Sequence, residues 1–432
     1  MAVTYAGTAP VPASDDTGPL VTADGIPLKQ ALQHSQRRNK LKALGLVAPP
    51  FIFLVILFIV PVISLMFYSV DDRKVNTYLP KTFALYDTWD GEELPDENLY
   101  KAMFEDISSA PGLLMGQSST RMNYAKSRWK SLIKKSNRRF KKLARTDFAG
   151  PYKPEMIKID KRWGDIDFWR SLEIMKNPIT TGYFANAVDY KIDFEKGYVA
   201  QPEYRQIYKT LWWRTFEVAI LVTIFTLLLG YPVAHLLATL PARYANLLMI
   251  CVLMPFWTSL LVRIVAWMVM LQQNGVVNDT LVAANVLDTE NRLEMMYNYT
   301  GTIIVMTQIL LPFMILPIYS VMKGISPAYM KAAQNLGATP TRAFIKVYMP
   351  QTLPGIGAGV ILVFIVAIGY YITPELVGGK DGQLIGNSIA NHLQQTLNWG
   401  LAAAMGVMLL AGILVLYWIY DKVVGIDNMR MG

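Results

Sequence analysis

Residues 329–355, YMKAAQNLGATPTRAFIKVYMPQTLPG, decide how the rest of the chain is read. They lie between two long apolar runs and carry Lys331, Arg342 and Lys346 without one acidic residue. Ser326 is a suitable N-cap with Pro327 at the first helical position, and Gly337 stands where a left-handed C-terminal cap falls. Thr339 and Pro340 repeat the start signal. The second helix then places Ala343, Phe344, Val347 and Tyr348 in one apolar stripe. Pro350 and Pro354 are expected to stop it before the next apolar run. A helical hairpin with an exposed apolar face, held against a membrane, is built to enter a groove on another protein. The plainer alternative is an amphipathic helix lying on the bilayer surface.

Working outward, the chain of 432 residues is 53% hydrophobic and only 17% charged. A soluble protein carries about 25% charged residues, so the composition points to a membrane. Apolar runs fall at about residues 45–70, 212–237, 245–271, 301–322, 354–373 and 401–424. Each meets the requirement of roughly 20 residues for a 30 Å hydrocarbon core. The expected fold is therefore an all-α polytopic membrane protein with six transmembrane helices. The first run is too long for a signal-peptide core and has no small-residue cleavage site after it, so it is read as retained. Residues 1–44 form an expected cytoplasmic tail, disordered at first and then basic at Lys29, Arg37, Arg38, Lys40 and Lys42. Residues 425–432 form a second short cytoplasmic tail.

The loops test this topology. Residues 272–300 hold Asp279, Asp288, Glu290 and Glu294 against Arg292, a net of 1 − 4 = −3. Residues 323–349 hold Lys323, Lys331, Arg342 and Lys346, a net of +4. The basic loop belongs inside. By parity, residues 71–211 form a large extracytoplasmic insertion between the first two spans, where long loops translocate largely regardless of charge. Its aromatics (Trp89, Trp129, Trp163, Phe168, Trp169, Tyr183, Phe184) suffice for a small, mainly helical core. Residues 121–145 contain eleven basic residues and no acidic one, interleaved with Trp129, Leu132, Ile133, Phe140 and Leu143. That pattern reads as a solvated helix with one apolar face on the core, or as a face for anionic lipid or an acidic partner. Nucleic acid is not expected on that side of a membrane.

Chemistry-bearing motifs are few. Cys251 is read as a small core residue, and the three histidines make no motif. No Walker A sequence is present, so ATP would have to be bound by another chain. Gly355, Gly357 and Gly359 follow a proline at a membrane entry and are read as close helix packing. Pro232, Pro255, Pro312 and Pro317 each remove a backbone hydrogen bond within a span, which suits kinked helices around a pathway, although simple packing curvature explains any one of them equally well. Glu217 and Arg263 lie about 8 Å and 12 Å below the outer face at 1.5 Å per residue. They are expected either to pair or to flank the path, since an unpaired ion there costs at least about 2.5 to 3.5 kcal/mol. Trp257, Thr258 and Gln308 are further lining candidates, and Glu375 is a candidate to meet substrate or its carrier.

Lys331, Ala332, Ala333, Gly337, Phe344, Val347 and Pro350 resemble the "EAA" loop of membrane permease subunits of ABC importers, except that an acidic residue usually stands where this chain has Lys331. Residues 227–238 (LLLGYPVAHLLA), 254–267 (MPFWTSLLVRIVAW) and 372–379 (ITPELVGG) are similar to the first permease subunit of spermidine/putrescine-type importers. The resemblance covers most of residues 212–424, including the loop at 324–353, and the first span. It implies a permease fold of the type I importer kind, in a bacterial inner membrane with both termini cytoplasmic. It implies a coupling helix that docks into a cytoplasmic ABC ATPase dimer, a second permease subunit, an extracytoplasmic substrate-binding protein and contact with membrane lipids. ATP and Mg would sit on the ATPase subunits, with no cofactor, metal or catalytic residue on this chain. The cargo would be a polyamine or related small organic solute. A secondary transporter or a membrane sensor, working without an ATPase subunit, is the rival reading.

Overall fold

In the computed structural model, residues 28–146, 148–193 and 196–422 are described; the expectations for residues 1–27 and 425–432 lie outside them. The chain divides into two compact units, Met1–Ser64 and Leu65–Gly432. In the first, a helix runs over Leu28–Leu54 and passes into a π turn at Val55–Ile59. It starts well ahead of the boundary expected at Gly45. Residues 28–44 contain neither Gly nor Pro and are dominated by Leu, Lys, Arg, Gln and Ala, all strong helix formers.

Among the described residues six helices are long and apolar enough to cross a membrane: Asn39–Tyr68, Tyr208–Thr239, Leu260–Ala283, Tyr299–Gly324, Pro340–Ile368 and Trp399–Tyr420, here the first to sixth spans. The second, fourth and fifth pack together around Val218, Val222, Val305, Met306, Leu310, Met314, Val363 and Ala367, all fully buried. Lipid tails are as apolar as these side chains, so close packing rather than water exclusion has to hold the helices. Gly355 and Gly359, one turn apart on the fifth span, allow it. A Cβ on Gly355 would lie 3.0 Å from the Pro317 carbonyl oxygen, and one on Gly359 would lie 2.8 Å from Met314 Sδ.

Three sequence expectations are corrected. Pro350 and Pro354 do not stop the helix, which runs unbroken over Pro340–Ile368. A π turn at Phe344–Tyr348 widens the backbone just before Pro350, relieving the clash between a proline ring and the preceding turn. The carbonyls nearby find side-chain donors: Gln351 donates to Val347 O at 2.7 Å and Thr352 to Met349 O at 2.7 Å. The run expected as one span over residues 245–271 is broken. Helix Ala242–Leu253 tightens into a 3-10 turn at Met254–Trp257, and a new helix begins at Leu260. Pro255 supplies no N–H, and Thr258 and Ser259 adopt extended backbone. Cys251, expected in the core, is exposed on the helix that precedes the break. In a membrane protein the outward face is as apolar as the inward one, so hydrophobicity alone does not say which way a residue points.

Between the first two spans, short helices enclose a core of Tyr78, Tyr100, Trp129, Phe140, Trp163 and Trp169. Each buried indole N–H has an acceptor: Trp129 on Ser171 Oγ at 2.8 Å, Trp163 on Ser136 Oγ at 2.9 Å, Trp169 on the Trp163 carbonyl at 3.0 Å. The basic stretch forms helix Trp129–Leu143, whose apolar face (Trp129, Leu132, Ile133, Phe140) is buried in that core. A hairpin pairs Tyr190–Asp193 with Gly197–Ala200 in antiparallel register. Just before it, Asp189 is fully buried at φ 62°. Its carboxylate accepts from the Ile207 and Tyr208 amides at 3.0 Å and from Lys209 at 2.7 Å. These are unsatisfied donors at the start of the second span, and a negative charge is stabilising there. The insertion thereby caps a membrane helix.

Candidate functional site

The knuckle at residues 326–350 is built by local hydrogen bonds. Helix Ala328–Asn335 begins one residue later than expected, with Pro327 at the N-cap, and Ser326 Oγ accepts from the Ala328 amide at 3.3 Å just ahead of it. That helix closes in a Schellman motif. The Ala338 amide donates to Ala333 O at 3.1 Å and Gly337 to Gln334 O at 2.9 Å, with Gly337 at φ 90°. Thr339 Oγ1 then accepts from Arg342 N at 3.4 Å, and Pro340 opens the next helix. The knuckle runs directly into the fifth span.

Its outward face carries Tyr329, Leu336 and Ile345, with Leu336 90% exposed at the tip. Lys331, Ala332, Gly337 and Pro350 are exposed, and Ala333, Phe344 and Val347 are half-buried. Lys331 and Arg342 have no ion-pair partner among the described residues. Beneath them lies an aromatic anchor that sequence reading identified only in part. Phe344 stacks on Tyr348 at 5.5 Å, and both meet the His235 ring edge to face at 5.2 and 5.3 Å. Tyr231 reaches Phe344 at 6.4 Å. Tyr231 and His235 are four residues apart on one face of the second span, as Phe344 and Tyr348 are on the fifth. That matched spacing is the signal that would have found them.

The path candidates sit on the spans and their ends. Glu217 and Arg263 do not pair with each other. Glu217 is exposed and its charge acts on Tyr299, at the start of the fourth span. Arg263 lies in the first turn after the break, half-buried, with its charge acting on Tyr370. Its Nε is sealed from solvent without a hydrogen-bond partner. Among the described residues the same holds for Gln308 Oε1 and Thr307 Oγ1. Trp257 and Thr258 are exposed at the break, and Thr258 Oγ1 donates to the Pro255 carbonyl at 3.0 Å. Glu375 is exposed and accepts from Asn387 Nδ2 at 2.7 Å; the same amide donates to the Tyr371 carbonyl at 2.9 Å. Sequence reading missed Asn387.

Six helices long and apolar enough to cross a membrane among the described residues, with a helical knuckle continuous with one of them, make this a polytopic membrane protein. The chain belongs to the binding-protein-dependent transport system inner membrane components, whose family profile matches residues 226–424, and so to the permease subunits of ABC importers. It is 36% identical over 207 residues to the spermidine/putrescine transport system permease protein PotB of Escherichia coli K12, covering 47% of this chain and 74% of that one. To PotB of Haemophilus influenzae it is 33% identical over 228 residues, covering 53% and 79%. A crystal structure of a bacterial ABC transporter for the acidic polysaccharide alginate aligns at TM-score 0.47 and 16% identity, over 70% of this chain and 99% of that one.

Proposed function

We propose that this chain forms half of the translocation pathway of an ATP-driven importer of a small organic cation of the polyamine class. The observation that carries the reading is the knuckle: an exposed apolar tip, rigidly capped at both turns, whose second helix is the fifth span itself. A force applied at Leu336 then moves a membrane helix without an intervening flexible joint. A cytoplasmic ATPase dimer supplies that force when ATP closes it, and this chain binds no nucleotide of its own. A second permease subunit completes the pathway, and a binding protein delivers cargo to the face bearing the insertion. The knuckle and both termini are then cytoplasmic, in a bacterial inner membrane. The two states are biased by ATP at one end and the loaded binding protein at the other.

The cargo class rests on the named relatives, which are spermidine/putrescine permeases. The path assignment rests on Arg263, Gln308 and Thr307, whose buried polar atoms have no hydrogen-bond partner among the described residues. Such groups are costly in hydrocarbon unless a cargo, water or a neighbouring subunit meets them. The test is uptake of labelled spermidine and putrescine into proteoliposomes holding the complete transporter. ATP-dependent uptake that requires the binding protein is expected. Uptake at full rate with no ATPase subunit present would refute the reading.

A further inference from the structure

A cavity of about 700 Å³ lies beneath the insertion, and none of its lining residues belongs to the knuckle or to the path candidates. Its walls come from four separated stretches of chain, one of them the single residue Tyr183. The others are residues 68–74 at and after the end of the first span, helix Gly112–Ala125 of the insertion, and the turn at residues 397–400 that opens the sixth span. Tyr68 and Trp399 meet edge to face at 6.3 Å. Both are terminal residues of spans, so the cavity stands at the membrane boundary, the depth that Tyr and Trp rings favour.

The lining is divided into an apolar half and a polar half. On the apolar side Leu113 and Leu397 are 77% and 59% exposed beside Trp399. Leu397 is held at φ 57°, a conformation that a bulky side chain normally avoids. Gly112 and Gly116, one turn apart, have no atom within 4 Å of where a Cβ would stand, so bare helix backbone faces open space. On the polar side the carboxylates are already neutralised. Arg73 holds Asp71 through bonds of 2.8 and 3.0 Å. Arg121 holds Asp72 through two bonds of 2.6 Å, and the Tyr183 hydroxyl donates to Asp72 at 3.2 Å. Lys74 is exposed and has no ion-pair partner among the described residues. The free charge of the cavity is thus a single cation.

We infer that this cavity holds a membrane phospholipid, with its phosphate against the Lys74 ammonium and its glycerol and upper acyl carbons on Leu113, Leu397 and Trp399. Three features select that occupant over a free solute: the boundary depth, the division into apolar and polar halves, and one unneutralised cation. Exposed leucines are unfavourable against water and ordinary against acyl chains. The inference needs only that the chain crosses a membrane, so it stands or falls separately from the cargo.

The test is native mass spectrometry of the full-length chain, delipidated in detergent and titrated with phosphatidylglycerol, with diacylglycerol, or with inorganic phosphate. One tightly retained phosphatidylglycerol is expected, with weaker retention of diacylglycerol. Lys74→Glu should weaken that retention by at least about fivefold, the value of one surface charge near an anionic lipid. Gly116→Leu fills the open space with a better helix former, so it should expel the lipid while the chain stays folded. Retention unchanged in both variants, equal retention of diacylglycerol, or occupancy by inorganic phosphate alone would each overturn the assignment.

Discussion

The His235 imidazole and the Phe344 ring meet edge to face, 5.2 Å between centroids, and so tie the second span to the base of the knuckle on the fifth. The contact joins residues more than a hundred positions apart in sequence. It gives the knuckle a second point of purchase on the membrane helices.

Replacing His235 by Ala removes that purchase, worth about 0.5–1.5 kcal/mol for an edge-to-face aromatic pair. ATP hydrolysis by the assembled transporter should persist while uptake falls several-fold. Measuring both on one proteoliposome preparation checks this, and equal loss of the two activities would show that the contact does not serve coupling.

Leu336 is the most exposed large apolar side chain of the knuckle. Leu336→Asp should therefore abolish co-purification of the ATPase subunit while leaving the membrane chain itself intact. Burial of a leucine in a partner groove contributes about 1.5–3 kcal/mol, and a buried unpaired carboxylate adds a further penalty. Normal assembly in a pull-down would place the docking surface elsewhere.

Arg263→Leu should stop uptake at unchanged expression, and Arg263→Lys should restore part of it. If the guanidinium only stabilises the bundle, thermal unfolding will shift while uptake per folded molecule stays constant. Recording both quantities separates the two roles.

Gly359→Ala places a methyl group 2.8 Å from Met314 Sδ and 3.1 Å from the Met314 carbonyl oxygen. The fourth and fifth spans have to part slightly. Overpacking of this kind costs about 1–3 kcal/mol, so the melting temperature in detergent should fall by several degrees. Gly116→Ala, where a Cβ meets nothing, should leave it unchanged or raise it.

Asp160 carries the clearest pH signature in the insertion. Arg162 donates to it through Nε at 2.9 Å and Nη2 at 2.9 Å, and Lys135 reaches it at 3.0 Å. The Arg162 guanidinium, supported by Lys135, holds the carboxyl well below the usual carboxylate range. A depressed folded value means the stabilisation is fully present above the unfolded value of about 3.9 and is lost as pH falls below it. Tryptophan emission on heating should therefore show the insertion melting earlier at pH 3 than at pH 7. Asp160→Asn should lower stability by about 1–3 kcal/mol at pH 7 and flatten that acid slope. An acid slope of undiminished steepness in the variant would assign it to other carboxylates.

Much of this protein is written in short stretches of sequence. Six apolar runs imply six membrane helices because a bilayer imposes a length and excludes unpaired backbone. Ser326, Gly337, Thr339 and Pro340 specify the knuckle because caps and left-handed turns are made by hydrogen bonds a few residues long. Sequence could not show where such signals yield to their surroundings. The helix through Pro350 depends on a π turn, and the break after Pro255 depends on the extended backbone at Thr258 and Ser259. The tertiary structure alone separated Glu217 from Arg263, set Asp189 on the amides of the second span, and placed His235 against Phe344. Those relationships join residues distant along the chain, and neither periodicity nor composition records a contact that exists only once the helices have packed.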